Sequence, residues 1–477
     1  MRKRTLLLAV ALTTGLLTAL PATSASAAPS GLHGDFNGDG YRDAVIGAPL
    51  ARVAGKGDAG YVAVVYGTAS GLDTGKRQII SQDTAGIPGV PEAYDDFGDH
   101  LTTGDLDDDG YTDIVVGVPR EQIGRTGQYG VLTVLWGGAT GIKSATDITS
   151  PLPEYKNELG RSVAAGDFDG DGDTDLATVN GATPELNILN GPISRTGTAA
   201  GLVGIDSLDQ TGISIEQLAA GDVTGDGTTD LLVMGLEENS GGYRTRSVLY
   251  QGSAGGLTPG AKLAGGYAAT VADVDKDGYG DIVTGNFMEK STSEPDGGLG
   301  GAITVTYGAA GGLSTRTPVR ITQDTAGVPG ASEKNDAFGW SLAAGDTDGD
   351  GYTDVAVGVA NEDLSGKADA GSVVVLRGSA SGLTGTGSKS FSQDTSGVPG
   401  TAETYDQFGH SVLLTDAGKD GRAELIAGAR AENDGAGAVW VLRGSSTGIT
   451  TTGAKSFGST TLGGPSGLAY FGDVLAG

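Results

Sequence analysis

Short apolar runs alternate along this chain with acidic, glycine-rich turns, and no run takes up a helical period. AVIGAP from Ala44, IVVGVP from Ile114, LLVMG from Leu231, IVTGN from Ile282, VAVGVA from Val355 and LIAGAR from Leu425 each follow an acidic loop. A second apolar run then ends in a small-residue turn: VAVVYGTASGL from Val62, VLTVLWGGATGI from Val131, SVLYQGSAGGL from Ser247, ITVTYGAAGGL from Ile303, VVVLRGSASGL from Val373 and VWVLRGSSTGI from Val439. Upstream of several loops lies a Phe-Gly pair with a short strand behind it, as in FGDHLTTGD from Phe97, FGWSLAAGD from Phe338 and FGHSVLLTD from Phe408. LGRSVAAGD from Leu159 is a degenerate copy, and a fourth short strand such as KSFSQD from Lys389 closes the unit. Brief runs bounded by Gly, Asp and Ser read as strands, and those without alternation as strands packed on both faces.

The unit repeats. Its acidic loop occupies residues 35–43, 105–113, 167–175, 222–230, 273–281 and 346–354, with a damaged copy at 416–424. Loop starts lie 51 to 73 residues apart. Seven units of four antiparallel strands predict an all-β fold, a seven-bladed β-propeller. The ends add a check. The chain reaches its first loop without a Phe-Gly strand before it, and finishes on YFGDVLAG from Tyr470, a Phe-Gly strand with no loop after it. Pairing the C-terminal strand with the N-terminal blade completes one unit and closes the ring, removing exposed edges.

Each loop sets oxygen donors on alternate residues. Position 1 is Asp35, Asp105, Asp167, Asp222, Asp273 and Asp346; position 3 is Asn37, Asp107, Asp169, Thr224, Asp275 and Asp348. Position 5 is Asp39, Asp109, Asp171, Asp226, Asp277 and Asp350. Tyr41, Tyr111, Asp173, Thr228, Tyr279 and Tyr352 offer a backbone carbonyl at position 7, and Asp43, Asp113, Asp175, Asp230, Asp281 and Asp354 a carboxylate at position 9. Glycine at position 6 permits the bend. Six to eight oxygens suit calcium, whereas a chain with no cysteine and three histidines does not suit soft metals. The expectation is about six structural Ca²⁺ sites. Thr224 weakens the fourth. The seventh, with Gly418 at position 3 and Glu424 at position 9, is expected to be empty. An EF-hand is excluded, because position 12 carries no carboxylate and a strand follows each loop.

Arg2, Lys3 and Arg4, the apolar stretch from Leu6 to Leu20 and the small residues Ala25-Ser26-Ala27 read as a secretory signal over 1–27, leaving one domain over 28–477. Removing those three basic residues makes the formal net charge of −29 three units more negative. Such a surface repels nucleic acid and anionic membranes, and no later segment is apolar enough to span a bilayer. With no disulfide available to an exported chain, calcium is the remaining staple. The 86 glycines follow the repeat rather than forming low-complexity tracts, which excludes disorder.

The pattern resembles the FG-GAP repeat family, the propeller at the N-terminus of integrin α subunits and in many secreted bacterial proteins. Phe97-Gly98 and Gly47-Ala48-Pro49 carry its two hallmarks, with Gly117-Val118-Pro119 a near match. The resemblance implies calcium on one face of the propeller and ligands or partner proteins on the other. This chain departs from the integrin pattern in its larger number of intact loops and in lacking stalk domains and a membrane helix, so an α/β heterodimer is not implied. The expected product is a secreted, monomeric binding or adhesion module for an extracellular protein or polysaccharide, with structural calcium. The alternative is an extracellular hydrolase or lyase with a carboxylate site on the non-calcium face.

Three long links between units are nearly identical: SQDTAGIPGVPEAYDDFG from Ser81, TQDTAGVPGASEKNDAFG from Thr322 and SQDTSGVPGTAETYDQFG from Ser392. They read as linker staples; as a site they would offer Glu92, Tyr94, Glu333, Glu403 and Tyr405. Gly444-Ser445-Ser446-Thr447-Gly448 fits G-x-S-x-G but sits in a strand–strand turn, so it is a chance match. His33, His100 and His410 occupy non-equivalent positions and read as structural, and Trp136, Trp340 and Trp440 read as packing residues.

Overall fold

A computed structural model describes residues 30–123, 128–149, 158–181, 185–239 and 242–477. The signal segment expected over 1–27 lies outside the described residues. Seven four-stranded antiparallel sheets account for almost all the regular structure, and the three helices among the described residues have four or five residues each. Blade 2 shows the pattern, with His100–Gly104, Asp113–Ile123, Gln128–Trp136 and Ser144–Thr149 paired in chain order. Blades 3 to 7 begin with inner strands Val163–Gly166, Ile213–Gly221, Ala268–Ala272, Phe338–Gly345 and Phe408–Thr415. Each inner strand touches those of both neighbours, so the sheets form a closed seven-bladed propeller.

Closure runs through the C-terminus. Blade 1 takes Ala44–Ala48, Tyr61–Val65 and Arg77–Ile80 from the start of the chain and Leu475–Ala476 from its end. Val45 pairs with Ala476 and Ile46 with Leu475, while the Gly47 N–H donates to the Val474 carbonyl at 2.9 Å. The expected shared blade is present.

The second strands are mainly apolar after the acid that closes the loop, because both of their faces are packed: Ala44–Ala48, Asp175–Val179, Asp281–Asn286, Asp354–Val359 and Glu424–Ala429 are buried at every residue. The buried side chains fall into seven clusters, each straddling one blade junction. The two hallmark motifs meet at these junctions. A Cβ on Gly47 would stand 2.1 Å from the Gly98 carbonyl oxygen of the next blade, and Gly98 itself has φ 101°. Both positions therefore exclude a side chain. The same joint recurs at Gly117/Gly160, Gly285/Gly339, Gly358/Gly409 and, at the closure, Gly428/Gly472. The phenylalanine before the glycine plugs the junction: Phe97, Phe338, Phe408 and Phe471 are fully buried.

The three long links are staples between blades. Gln82 donates to Glu121 of the following blade at 2.8 Å, Gln323 to Glu362 at 2.7 Å and Gln393 to Glu432 at 2.7 Å. On the other side the link from Ser81 hydrogen-bonds the 2–3 hairpin of its own blade, through Tyr94 N–H to Gly57 and Asp96 N–H to Asp58. Burial pushes Glu121, Glu362 and Glu432 each up to about 7. The carbonyl oxygens of Gln82, Gln323 and Gln393 are buried without a partner among the described residues. Rotating the amide would satisfy that oxygen only if the facing glutamate carries a proton, which agrees with the raised values.

Candidate metal centres

Loops 2 to 7 join the inner strand of their blade to the second, and loop 1 leads into the second strand of blade 1, whose inner strand comes from the C-terminus, so all lie on one face. The position-1 aspartate winds the loop around itself. Asp35 accepts from the Gly38 N–H at 2.7 Å on Oδ1 and from the Gly40 N–H at 2.7 Å on Oδ2. Asp346 repeats this with Gly349 at 2.7 Å and Gly351 at 2.8 Å. The position-9 aspartate fastens the loop to its blade: Asp43 accepts from Phe36 N–H at 2.9 Å and from Gly67 N–H, just past the third strand, at 2.8 Å. Asp113, Asp175, Asp230, Asp281 and Asp354 make the same two bonds.

Four loops bring the acidic side chains of positions 1, 3 and 9 together: Asp105, Asp107 and Asp113; Asp167, Asp169 and Asp175; Asp273, Asp275 and Asp281; Asp346, Asp348 and Asp354. One oxygen from each lies within 4.8 Å of the others. The position-5 carboxylates stand outside these groups and cap the turn, as Asp109 does for the Tyr111 N–H at 3.1 Å. Loops 1, 4 and 7 form no such acidic triad among the described residues, since position 3 is Asn37, Thr224 and Gly418.

The donors fit a hard cation. Asp107, Asp169 and Asp275, all at position 3, each keep a buried carboxylate oxygen with no hydrogen-bond partner among the described residues. A bare buried carboxylate oxygen is costly, and a divalent ion with oxygen ligands removes that cost. Burial dominates the electrostatics here too: Asp43 and Asp113 are pushed up to about 8, Asp281 to about 7 and Asp175 to about 6. In the metal-free protein a proton therefore competes for these loops.

Arginines also reach the loops, which sequence reasoning missed. Arg195, from blade 3, pairs with Asp107 and Asp109 of blade 2; Arg316 meets Asp275 at 2.7 Å; Arg377 contacts Asp348 and Asp354. The third loop instead receives the neutral Asn190 amide on Asp169. Arg377 ends the third strand of its blade and Arg195 and Arg316 lie shortly beyond theirs, so basic residues near that point were the available signal.

On the opposite face the link residues stay apart in function. Glu92, Glu333 and Glu403 each close a local turn, their N–H groups donating to Asp95, Asp336 and Asp406 at 2.6 Å. Tyr94 and Tyr405 point into solvent, 64% and 62% exposed. Gly444 to Gly448 form a strand–strand turn with no helix after it. His410 pairs with Asp473 at 3.2 Å, His100 with Asp99 at 3.4 Å, and the His33 ring meets the Thr103 carbonyl at 3.2 Å. Burial lowers all three, and the hydrolase alternative gains no supporting constellation from them.

Comparison with known proteins agrees with this geometry. The FG-GAP repeat profile matches residues 27–65, 338–376 and 408–442, and the FG-GAP-like repeat profile matches 105–178. Phosphatidylinositol-glycan-specific phospholipase D of Rattus norvegicus is 32% identical over 146 residues, which is 30% of this chain and 17% of that protein. Integrin alpha-5 of Xenopus laevis is 28% identical over 278 residues, covering 57% of this chain and 21% of the integrin. Integrin alpha-6 of Homo sapiens is 34% identical over 118 residues, 25% of this chain and 9% of that one. The chain thus spans about a fifth or less of the length of these curated relatives.

Proposed function

This chain is an FG-GAP repeat, integrin-α-like β-propeller, and from that premise we propose that it is a calcium-stabilised extracellular recognition module. The observation that carries the calcium part is the buried, partnerless oxygen of Asp107, Asp169 and Asp275 inside three separate acidic triads. Positions 1, 3 and 9 of each loop would hold the ion, joined by the position-5 carboxylates and the position-7 carbonyls. Bound calcium would neutralise the clustered charge and lock the hairpin turns, without chemistry of its own. Loops 2, 3, 5 and 6 have the full acidic triad. Loop 1 substitutes the Asn37 amide, and loop 4 substitutes a hydroxyl that already donates to Asp222 at 3.3 Å.

Recognition then belongs to the face without calcium loops, where hairpins and links vary between blades. The integrin relatives are surface proteins, which supports an extracellular setting, as does the expected leader over 1–27. No helix of the described residues is long and apolar enough to cross a membrane. The test is binding of the purified mature protein to a glycan and matrix-protein panel, in calcium and again in chelator. Calcium-dependent capture of a defined ligand is the expected result. A blank from folded, calcium-loaded protein would overturn the reading.

A further inference from the structure

On the face without calcium loops, blades 5 and 6 form an open crevice of about 550 Å³, a size suited to a small ligand. Its floor is aromatic. Phe287 follows the second strand of blade 5 and Trp340 sits two residues after Phe338, their ring centroids 4.5 Å apart. Tyr267 supports Phe287 from behind at 4.7 Å, and His410 supports Trp340 at 5.1 Å, so the platform is held rather than free to swing. Trp136 and Trp440 are 1% and 2% exposed, as expected of packing residues, whereas Trp340 is only half-buried. Its indole N–H has no hydrogen-bond partner among the described residues and is not among the buried unpartnered atoms, so it is open to a ligand or to water.

The walls carry the complementary chemistry. Asn335 enters from the link between the two blades with φ 72°, its backbone N–H fixed on Glu289 at 3.0 Å. Asn361 follows the second strand of blade 6; its Oδ1 accepts from Gln407 at 3.3 Å, which leaves its two amide hydrogens facing no described acceptor. Asp369, on the 2–3 hairpin of blade 6, accepts no hydrogen bond on its carboxylate from any described residue. Glu289 and Glu294 also line the crevice but already accept hydrogen bonds from its frame, which leaves two carboxamides, the Asp369 carboxylate and one indole N–H around an aromatic floor as a mixed set of donors and acceptors. A hydroxyl needs both at once, and a pyranose presents several hydroxyls around a C–H-rich ring.

We infer that this crevice between blades 5 and 6 is a binding site for a neutral hexopyranose unit of a glycan, stacked against Trp340 and hydrogen-bonded by Asn335, Asn361 and Asp369. The inference rests on the recognition-module reading and adds to it a ligand class and a place. It also explains why a tryptophan replaces the small or polar residues at the same point of other inner strands, such as Asp99 and Arg161.

Trp340 makes the test direct, because the other two tryptophans are buried and leave it as the accessible fluorophore. Calcium-loaded protein is titrated with glucose, galactose, mannose, N-acetylglucosamine and short oligosaccharides of each, following tryptophan emission and heat of binding. At least one is expected to bind with a saturable change in emission. Asp369→Asn, which preserves shape, and Asn361→Ala are expected to weaken it about tenfold with an unchanged melt. Trp340→Phe is expected to retain weakened binding by calorimetry while losing the optical signal. Glycan binding that survives all three variants would overturn the site and leave the module reading standing. Calcium-dependent capture of matrix proteins with no saccharide response would do the same. No binding to either class would overturn both.

Discussion

At the residue scale, burial rather than charge pairing governs the carboxylates. Burial pushes Asp43 and Asp113 up to about 8 in the metal-free protein, so on the proposed reading protons compete with calcium for these loops near neutral pH. Calcium affinity is therefore expected to fall on acidification from pH 8 to pH 6, with proton release on binding at the lower pH. Calorimetry in two buffers of different ionisation heat measures this, and an affinity independent of pH would contradict it. A second set of buried acids answers to pH without metal. Glu121 faces Gln82, Asp95, Glu92 and Asp147, and burial holds it at about 7. With the folded value above the ordinary carboxylate value of about 4.3, its contribution to stability is fully present below that value. It is lost as pH rises through about 7. Glu121→Gln is expected to remove that loss, making the protein about 1 kcal/mol more stable than wild type at pH 8 and near equal at pH 4.5. Urea melts in chelator at the two pH values decide it; a variant less stable at pH 8 would show that the ionised glutamate is the working form.

At the element scale, the acidic loop was legible because its chemistry is local: nine residues with donors at fixed steps. The strands were legible for a related reason, since the doubly packed second strands read as unbroken apolar runs. What escaped the sequence depends on contacts between distant residues. Arg195 reaches a loop of the preceding blade, and Gln82 finds Glu121 only once two blades are side by side. Trp340 reads as packing because its neighbours in sequence are strand residues, and its exposure depends on how blades 5 and 6 diverge. In the metal-free loops the position-5 aspartates cap turns outside the acidic triads. The junctions also differ in content. The cluster between blades 4 and 5 has as its buried members only Val223, Leu232, Met234, Leu249 and Ile282. The one between blades 7 and 1 includes Tyr61, Phe457, Leu462 and Phe471 with many smaller side chains. Local opening is therefore expected first at Ala268–Ala272 and the strands beside it, read as faster native-state hydrogen exchange there than in blades 7 and 1. Uniform exchange around the ring would contradict this.

At the scale of the whole molecule, seven thin junction cores are held in one ring by a two-residue strand and one phenylalanine. Phe471 is fully buried, stacks on Tyr61 at 6.5 Å and meets Phe457 edge-on at 6.2 Å. Ending the chain before Phe471 is expected to cost at least the roughly 3–5 kcal/mol of a buried Phe truncation and to lower the melting temperature of the entire propeller. A native-like melt would argue that the ring does not depend on its closure. On the proposed reading calcium is the other constraint, acting on every blade that carries an intact loop. At about 1 mM calcium and a dissociation constant of about 10⁻⁴ M, each occupied loop adds about 1.4 kcal/mol. The most direct measurement is the thermal melt of the mature protein in millimolar calcium and in chelator. A large rise in melting temperature with calcium, graded with its concentration, is the result expected of a calcium-stabilised propeller. Coincident melts in calcium and chelator would contradict it.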